Sequence, residues 1–103
     1  GDVQWMTAGS GVLHKEYHEA EFSRRGGPFQ MVQLWVNLPA RFKMTPPKYQ
    51  GIENSRLGKV NLPGGQGVVE VIAGEYQGVR GPATTFSPMS VFNGRVNAGG
   101  IVD

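Results

Sequence analysis

Phe29-Gln30-Met31-Val32-Gln33-Leu34-Trp35-Val36-Asn37-Leu38 is the stretch on which the fold class turns. Strand alternation puts Phe29, Met31, Gln33, Trp35 and Asn37 on one face and Gln30, Val32, Leu34, Val36 and Leu38 on the other. Both faces are largely apolar, which predicts a strand covered on both sides, inside a larger β structure. Pro39 ends the run, and Pro46-Pro47 excludes a helix through the stretch that follows.

Working outward, the same signature recurs in shorter pieces. Val3 to Met6 reads as a strand, broken by Ala8-Gly9-Ser10-Gly11 and resumed from Val12 to Glu16. Val68 to Ile72 reads as a buried strand and Met89 to Val96 as a last one. Tyr17 to Pro28 reads as a polar loop with Arg24-Arg25 at its tip. Residues 40–67 read as connector and hairpin loop, and 73–88 as irregular. Val occurs 12 times and Leu 5, a balance that suits pleated sheets rather than helices. Gly 16 and Pro 7 punctuate the chain often enough to keep every element short. The expected class is all-β. Trp5 and Trp35 are expected in the core.

At 103 residues the chain has room for one small unit, and a unit of this size buries only somewhat over ~60% of its unfolded surface. Charged residues make up 17% and the net charge is +2, with no basic stripe for a nucleic-acid backbone. The absence of cysteine excludes disulfides, thiolate metal sites and a cysteine nucleophile. No apolar run reaches the ~18 residues of a membrane span, and a cytoplasmic location is expected. Gly9-Ser10-Gly11 lacks nucleophile-elbow spacing. Gly64-Gly65-Gln66-Gly67 lacks the ending of a phosphate loop and reads as a hairpin turn.

The remaining chemistry lies in His14-x-Glu16-x-His18, which contains both histidines of the chain. Alternation places all three side chains on one face, with the ligand types of a non-haem iron site. In an extended strand, residues 14 and 18 stand roughly 13 Å apart, too far for both to reach one ion at ~2.1 Å. His14 and Glu16 can share a metal; His18 is not expected to join them. From spacing alone, the plainer reading of a hydrogen-bonded pair in a half-buried strand stays open and is favoured.

A longer pattern adds to this. Gly1-Asp2-Val3-Gln4-Trp5-Met6-Thr7-Ala8-Gly9-Ser10-Gly11-Val12-Leu13-His14-Lys15-Glu16 resembles the second metal-binding segment of the pirin family. Gln33-Leu34-Trp35-Val36-Asn37-Leu38-Pro39 resembles the strand that follows it there. Lys43-Met44, Pro47-Lys48-Tyr49-Gln50, Val71-Ile72-Ala73-Gly74-Glu75 and Gly81-Pro82-Ala83 also agree with the family pattern, in its bacterial branch. The resemblance spans nearly the whole chain.

It implies a cupin-like, jelly-roll β-barrel, incomplete in this chain. Residues 1–72 would be the back part of an N-terminal barrel, and 73–103 a connector with the first strand of a second barrel. It also implies one metal, iron in the parent family, held by a His-x-His strand together with His14 and Glu16. The His-x-His strand has no counterpart here, so the chain alone is expected to hold no tightly bound iron. His14, Glu16 and Val12 are expected to face the barrel interior. Some bacterial pirins oxidise flavonols such as quercetin with dioxygen. For this chain such a substrate requires a complete site, so inactivity alone is expected, with no catalytic residue assigned. The alternative is a non-enzymatic interaction or oligomerising β scaffold. Unpaired strand edges predict a homodimer or a higher homo-oligomer, with neither nucleic acid nor membrane as partner.

Overall fold

Glycine and proline divide the chain into seven short strands, which a computed structural model describes over residues 1–103. Strand β1 (Val3–Thr7) pairs antiparallel with β2 (Lys48–Ile52), with Val3 opposite Ile52 and Thr7 opposite Lys48. The alternation holds except at Lys48, which is exposed opposite Thr7. Thr7 and Ile52 are buried and Val3, Trp5 and Gln50 half-buried on one face, whereas Gln4, Met6, Tyr49 and Gly51 of the other face are exposed.

A second, three-stranded sheet has the order β3 (Gly58–Asn61), β4 (Gly67–Ala73), β7 (Val91–Val96), all antiparallel. The hairpin joining β3 to β4 runs through Pro63–Gly65, as the glycine-rich stretch predicts. Central β4 supplies most of the core: Val69, Val71 and Ala73 are buried, joined by Leu57, Leu62 and Ile52. A bulge between Val71 and Ala73 displaces Ile72 from the ladder, and its carbonyl accepts instead from Ala83 N–H at 3.0 Å. The expected division between residues 72 and 73 falls within β4.

A small hairpin, β5 (Glu75–Tyr76) and β6 (Val79–Arg80), turns through Gln77 at φ 46° and Gly78 at φ 79°. Positive φ at both turn residues is the geometry a two-residue hairpin favours. Strand β6 presses on β3 at Gly58, where a Cβ would lie 2.4 Å from Val79 Cγ1 and 2.8 Å from the Arg80 carbonyl oxygen. Only glycine fits there. The loop after β6 then crosses the buried face of β1–β2. Trp5 Nε1 donates to the Thr84 carbonyl at 2.9 Å, and Gln50 Oε1 accepts from Thr84 N–H at 2.8 Å.

Four sequence expectations are corrected. The connector 40–67 contains β2 and β3, whose low alternation hid them. The loop 17–28 contains a short helix, α1 (Ala20–Arg25), capped by the Glu19 side chain. The region 73–88 is not wholly irregular, since β5 and β6 lie within it. Most consequentially, Val12–Glu16 and Phe29–Leu38 are not strands. No other segment pairs with them, and the backbone of 29–38 makes no backbone–backbone hydrogen bond. Trp35, expected in the core, is 91% exposed, and Val32 and Leu34 are exposed as well.

This unpartnered arm explains the shape. The radius of gyration is 16.2 Å and the extents are 45 × 43 × 20 Å, against ~13 Å for a compact domain of about 100 residues. The architecture is β-rich with one short helix, and its sheets do not close into a barrel within these residues. No helix is long and apolar enough to cross a membrane.

Candidate metal centre

The route to His14 starts at the end of β1. After Thr7 the chain turns sharply at Gly9, φ 52°, where a Cβ would stand 2.0 Å from the Thr45 carbonyl oxygen. That same carbonyl accepts from Ser10 N–H at 2.9 Å, which pins the departure of the arm to the segment just before β2. Val12 then lies over β1–β2, lining an open cleft of about 210 Å³ with Met6, Thr7, Pro47, Lys48 and Tyr49.

Beyond Val12 the structure brings His14 and Glu16 together and places His18 elsewhere. His14 Nε2 and Glu16 Oε1 are 3.5 Å apart, with side chains 36% and 40% exposed. Two donors each ~2.1 Å from one ion, at tetrahedral or octahedral angles, stand ~3.0–3.4 Å apart. The pair therefore fits two positions of one coordination sphere with little movement. The spacing is also compatible with a long charge-assisted contact, the plainer reading of the sequence. No group of three His, Cys, Asp or Glu residues that could hold a metal is present. The donors fit as part of a set and not as a whole one. The expected interior setting is not formed in these residues, since Val12, His14 and Glu16 are all exposed.

His18 packs on aromatic rings instead. Its ring centroid is 4.8 Å from that of Phe29, edge to face, and 5.5 Å from that of Phe22. Sequence reasoning set His18 aside on distance; the attraction of the two phenylalanines could be found only from the fold of the loop.

The other organised polar group lies in the three-stranded sheet and was not singled out by the sequence. Glu70, 6% exposed, stands between Lys59 and Asn93 on the neighbouring strands. Its carboxylate accepts from Asn54 Nδ2 at 3.0 Å and Asn93 Nδ2 at 2.8 Å, with Lys59 Nζ at 3.4 Å. The Asn54 hydrogen bond, helped by Asn93 and Lys59, holds its carboxyl below the usual range despite burial. Both carboxylate oxygens are engaged, one by Asn54 and Lys59 and the other by Asn93. This is a structural carboxylate.

Comparison with known proteins sorts these features. The family model described as Pirin matches residues 1–36, the stretch that carries β1, His14 and Glu16. A Pseudomonas aeruginosa protein with a provisional quercetin 2,3-dioxygenase name is 52% identical over 96% of this chain, and human Pirin is 38% identical over 96%. The chain belongs to the pirin family. The crystal structure of quercetin 2,3-dioxygenase from Acinetobacter baumannii superposes with a TM-score of 0.86 at 57% identity, covering 91% of this chain. The incomplete β architecture is accordingly a pirin's cupin fold in part. The chain spans about a third of the length of these relatives: 35% of the Pseudomonas protein, 32% of human Pirin and 33% of the Acinetobacter chain.

Proposed function

We propose that this chain contributes His14 and Glu16 to the iron centre of a pirin-type dioxygenase acting on a flavonol such as quercetin. The observation that carries the reading is the 3.5 Å approach of His14 Nε2 to Glu16 Oε1, a donor spacing that one ion can bridge. When bound, the metal would supply a site at which dioxygen and the flavonol meet. His14 would offer a neutral imidazole nitrogen and Glu16 an anionic oxygen, a mixed set suited to iron. Val12, two residues before His14, lines an open cleft with Met6 and Tyr49, which offers apolar surface to a planar aromatic ring. The quercetin 2,3-dioxygenase names of the Pseudomonas and Acinetobacter relatives support the substrate class.

The test joins this chain to the His-x-His strand of the family, adds iron, and follows quercetin loss with dioxygen uptake. Turnover is expected, and His14→Ala or Glu16→Ala is expected to abolish it. Turnover unchanged in both variants would overturn the reading.

A second reading has its own observation. Phe29–Leu38 exposes Trp35, Val32 and Leu34 with no partner for its backbone, as an interaction or oligomerising β scaffold would. Under that reading the joined protein assembles but turns over no quercetin, whatever the metal.

A further inference from the structure

The arm between β1 and β2 has one organised place. From Val12 to Leu38 no residue joins a sheet, yet residues 18–29 fold on themselves. Glu19 caps α1 by accepting from Glu21 N–H at 2.8 Å and Phe22 N–H at 2.7 Å. Gly26 N–H closes the helix on the Phe22 carbonyl at 2.7 Å, and Gly26 and Gly27 adopt φ of 70° and 139°. That reversal returns the chain, so that Phe29 meets His18 edge to face and Phe22 lies 6.0 Å from Phe29. The ends of the loop are thus clasped by three rings. A twelve-residue loop closed by its own side chains is an Ω-loop in all but name.

The neck of this loop lies two residues past Glu16. An extended dipeptide step spans at most ~7 Å, so whatever fixes His18 also restricts where the Glu16 carboxylate can stand. Without the clasp, Glu16 would stand within the stretch 12–18, which makes no backbone–backbone hydrogen bond. We propose that His18 is a positioning residue for the metal pair, closing the 18–29 loop against Phe22 and Phe29 so that Glu16 is held beside His14. The role belongs to the ring as a packing surface, not to its nitrogens. The inference rests on the reading of His14 and Glu16 as metal ligands.

The experiment titrates Co(II) into the 103-residue chain, reads binding at the His14 ring by nuclear magnetic resonance, and separately times trypsin cleavage after Arg24 and Arg25. His18 and Phe29 are exposed and lie outside the sheets, so the core sheet stays folded in every variant, which circular dichroism checks. His18→Ala and Phe29→Ala are expected to weaken Co(II) binding ~10-fold, the low end of what loss of a ligand-orienting group costs, and to speed cleavage. His18→Phe, which keeps a ring, is expected to restore both. If His18→Phe binds as weakly as His18→Ala, the imidazole itself is needed and the proposal is overturned. If His18→Ala speeds cleavage but leaves affinity unchanged, the clasp is merely structural and the proposal is equally overturned. If Co(II) binding is indifferent to His14→Ala, the metal reading itself fails, a result separate from either of these.

Discussion

Glu70 shows how one side chain can fasten elements that the ladder alone does not join. Its partners come from β3, from β7 and from Asn54, and Asn54 in turn donates its N–H to Asp2 Oδ1 at 2.8 Å, next to the start of β1. The network therefore ties the strand pair to the three-stranded sheet. Glu70→Gln keeps the shape but sets its amide NH2 against one of the two amide donors, Asn54 or Asn93, and removes the charge beside Lys59. A loss of about 2 kcal/mol at neutral pH is expected, read from urea unfolding midpoints. The pH dependence has a definite sign. Because the folded carboxyl titrates below its ordinary value of 4.5, the native state holds this proton less well than the unfolded chain. The contribution is complete above the ordinary value and is lost as pH falls through the lower folded one. The Gln variant is expected to lack that part of the acid sensitivity; an unaltered acid profile would show that Glu70 is not its source. Gly58→Ala tests a different contact. Its Cβ would strike β6, and about 1–3 kcal/mol of destabilisation is expected from overpacking, measured in the same way.

Among the elements, those with partners in the chain were legible and those without were not. Val3–Met6 reads as a strand because it alternates against a neighbour that is present, and Val68–Ile72 because its β-branched run is buried between two paired strands. β2 and β3 were missed because Gly51, Gly58 and exposed Lys48, Lys59 and Asn61 dilute their alternation; pairing with β1 and β4, not local pattern, makes them strands. Phe29–Leu38 is the reverse case. Its pattern is the strongest in the sequence, but a pattern supplies only the faces, and a ladder requires a second backbone. Of the candidate site, the pairing of His14 with Glu16 was legible from two-residue spacing, whereas the capture of His18 by Phe22 and Phe29 depends on a reversal at Gly26-Gly27 that no spacing reveals. Amide hydrogen exchange is expected to follow this division. Val69, Glu70 and Val71 should exchange slowly, and Gln30 to Leu38 at rates close to those of an unfolded peptide. Protection across 30–38 in dilute monomer would show that the arm finds a partner within the chain.

At the scale of the whole molecule, the flat, expanded shape and the exposed arm describe a pirin's fold with much of its covering surface still to be supplied. A second copy can supply part of it by pairing unpaired edges about a two-fold axis. Light scattering is expected to give a dimer or larger species at high concentration that dissociates on dilution, and Trp35→Glu is expected to shift that equilibrium toward monomer. A species that remains monomeric at all concentrations would remove the arm as an association surface. Assembly and metal binding are separable, however, and the account stands chiefly on the second. The chain has only two histidines, so the most direct measurement is the response of their two ring resonances as Co(II) is added. The account predicts that His14 responds first and that Glu16→Gln abolishes the response. Equal response at His18, or a His14 response unchanged in Glu16→Gln, would contradict it.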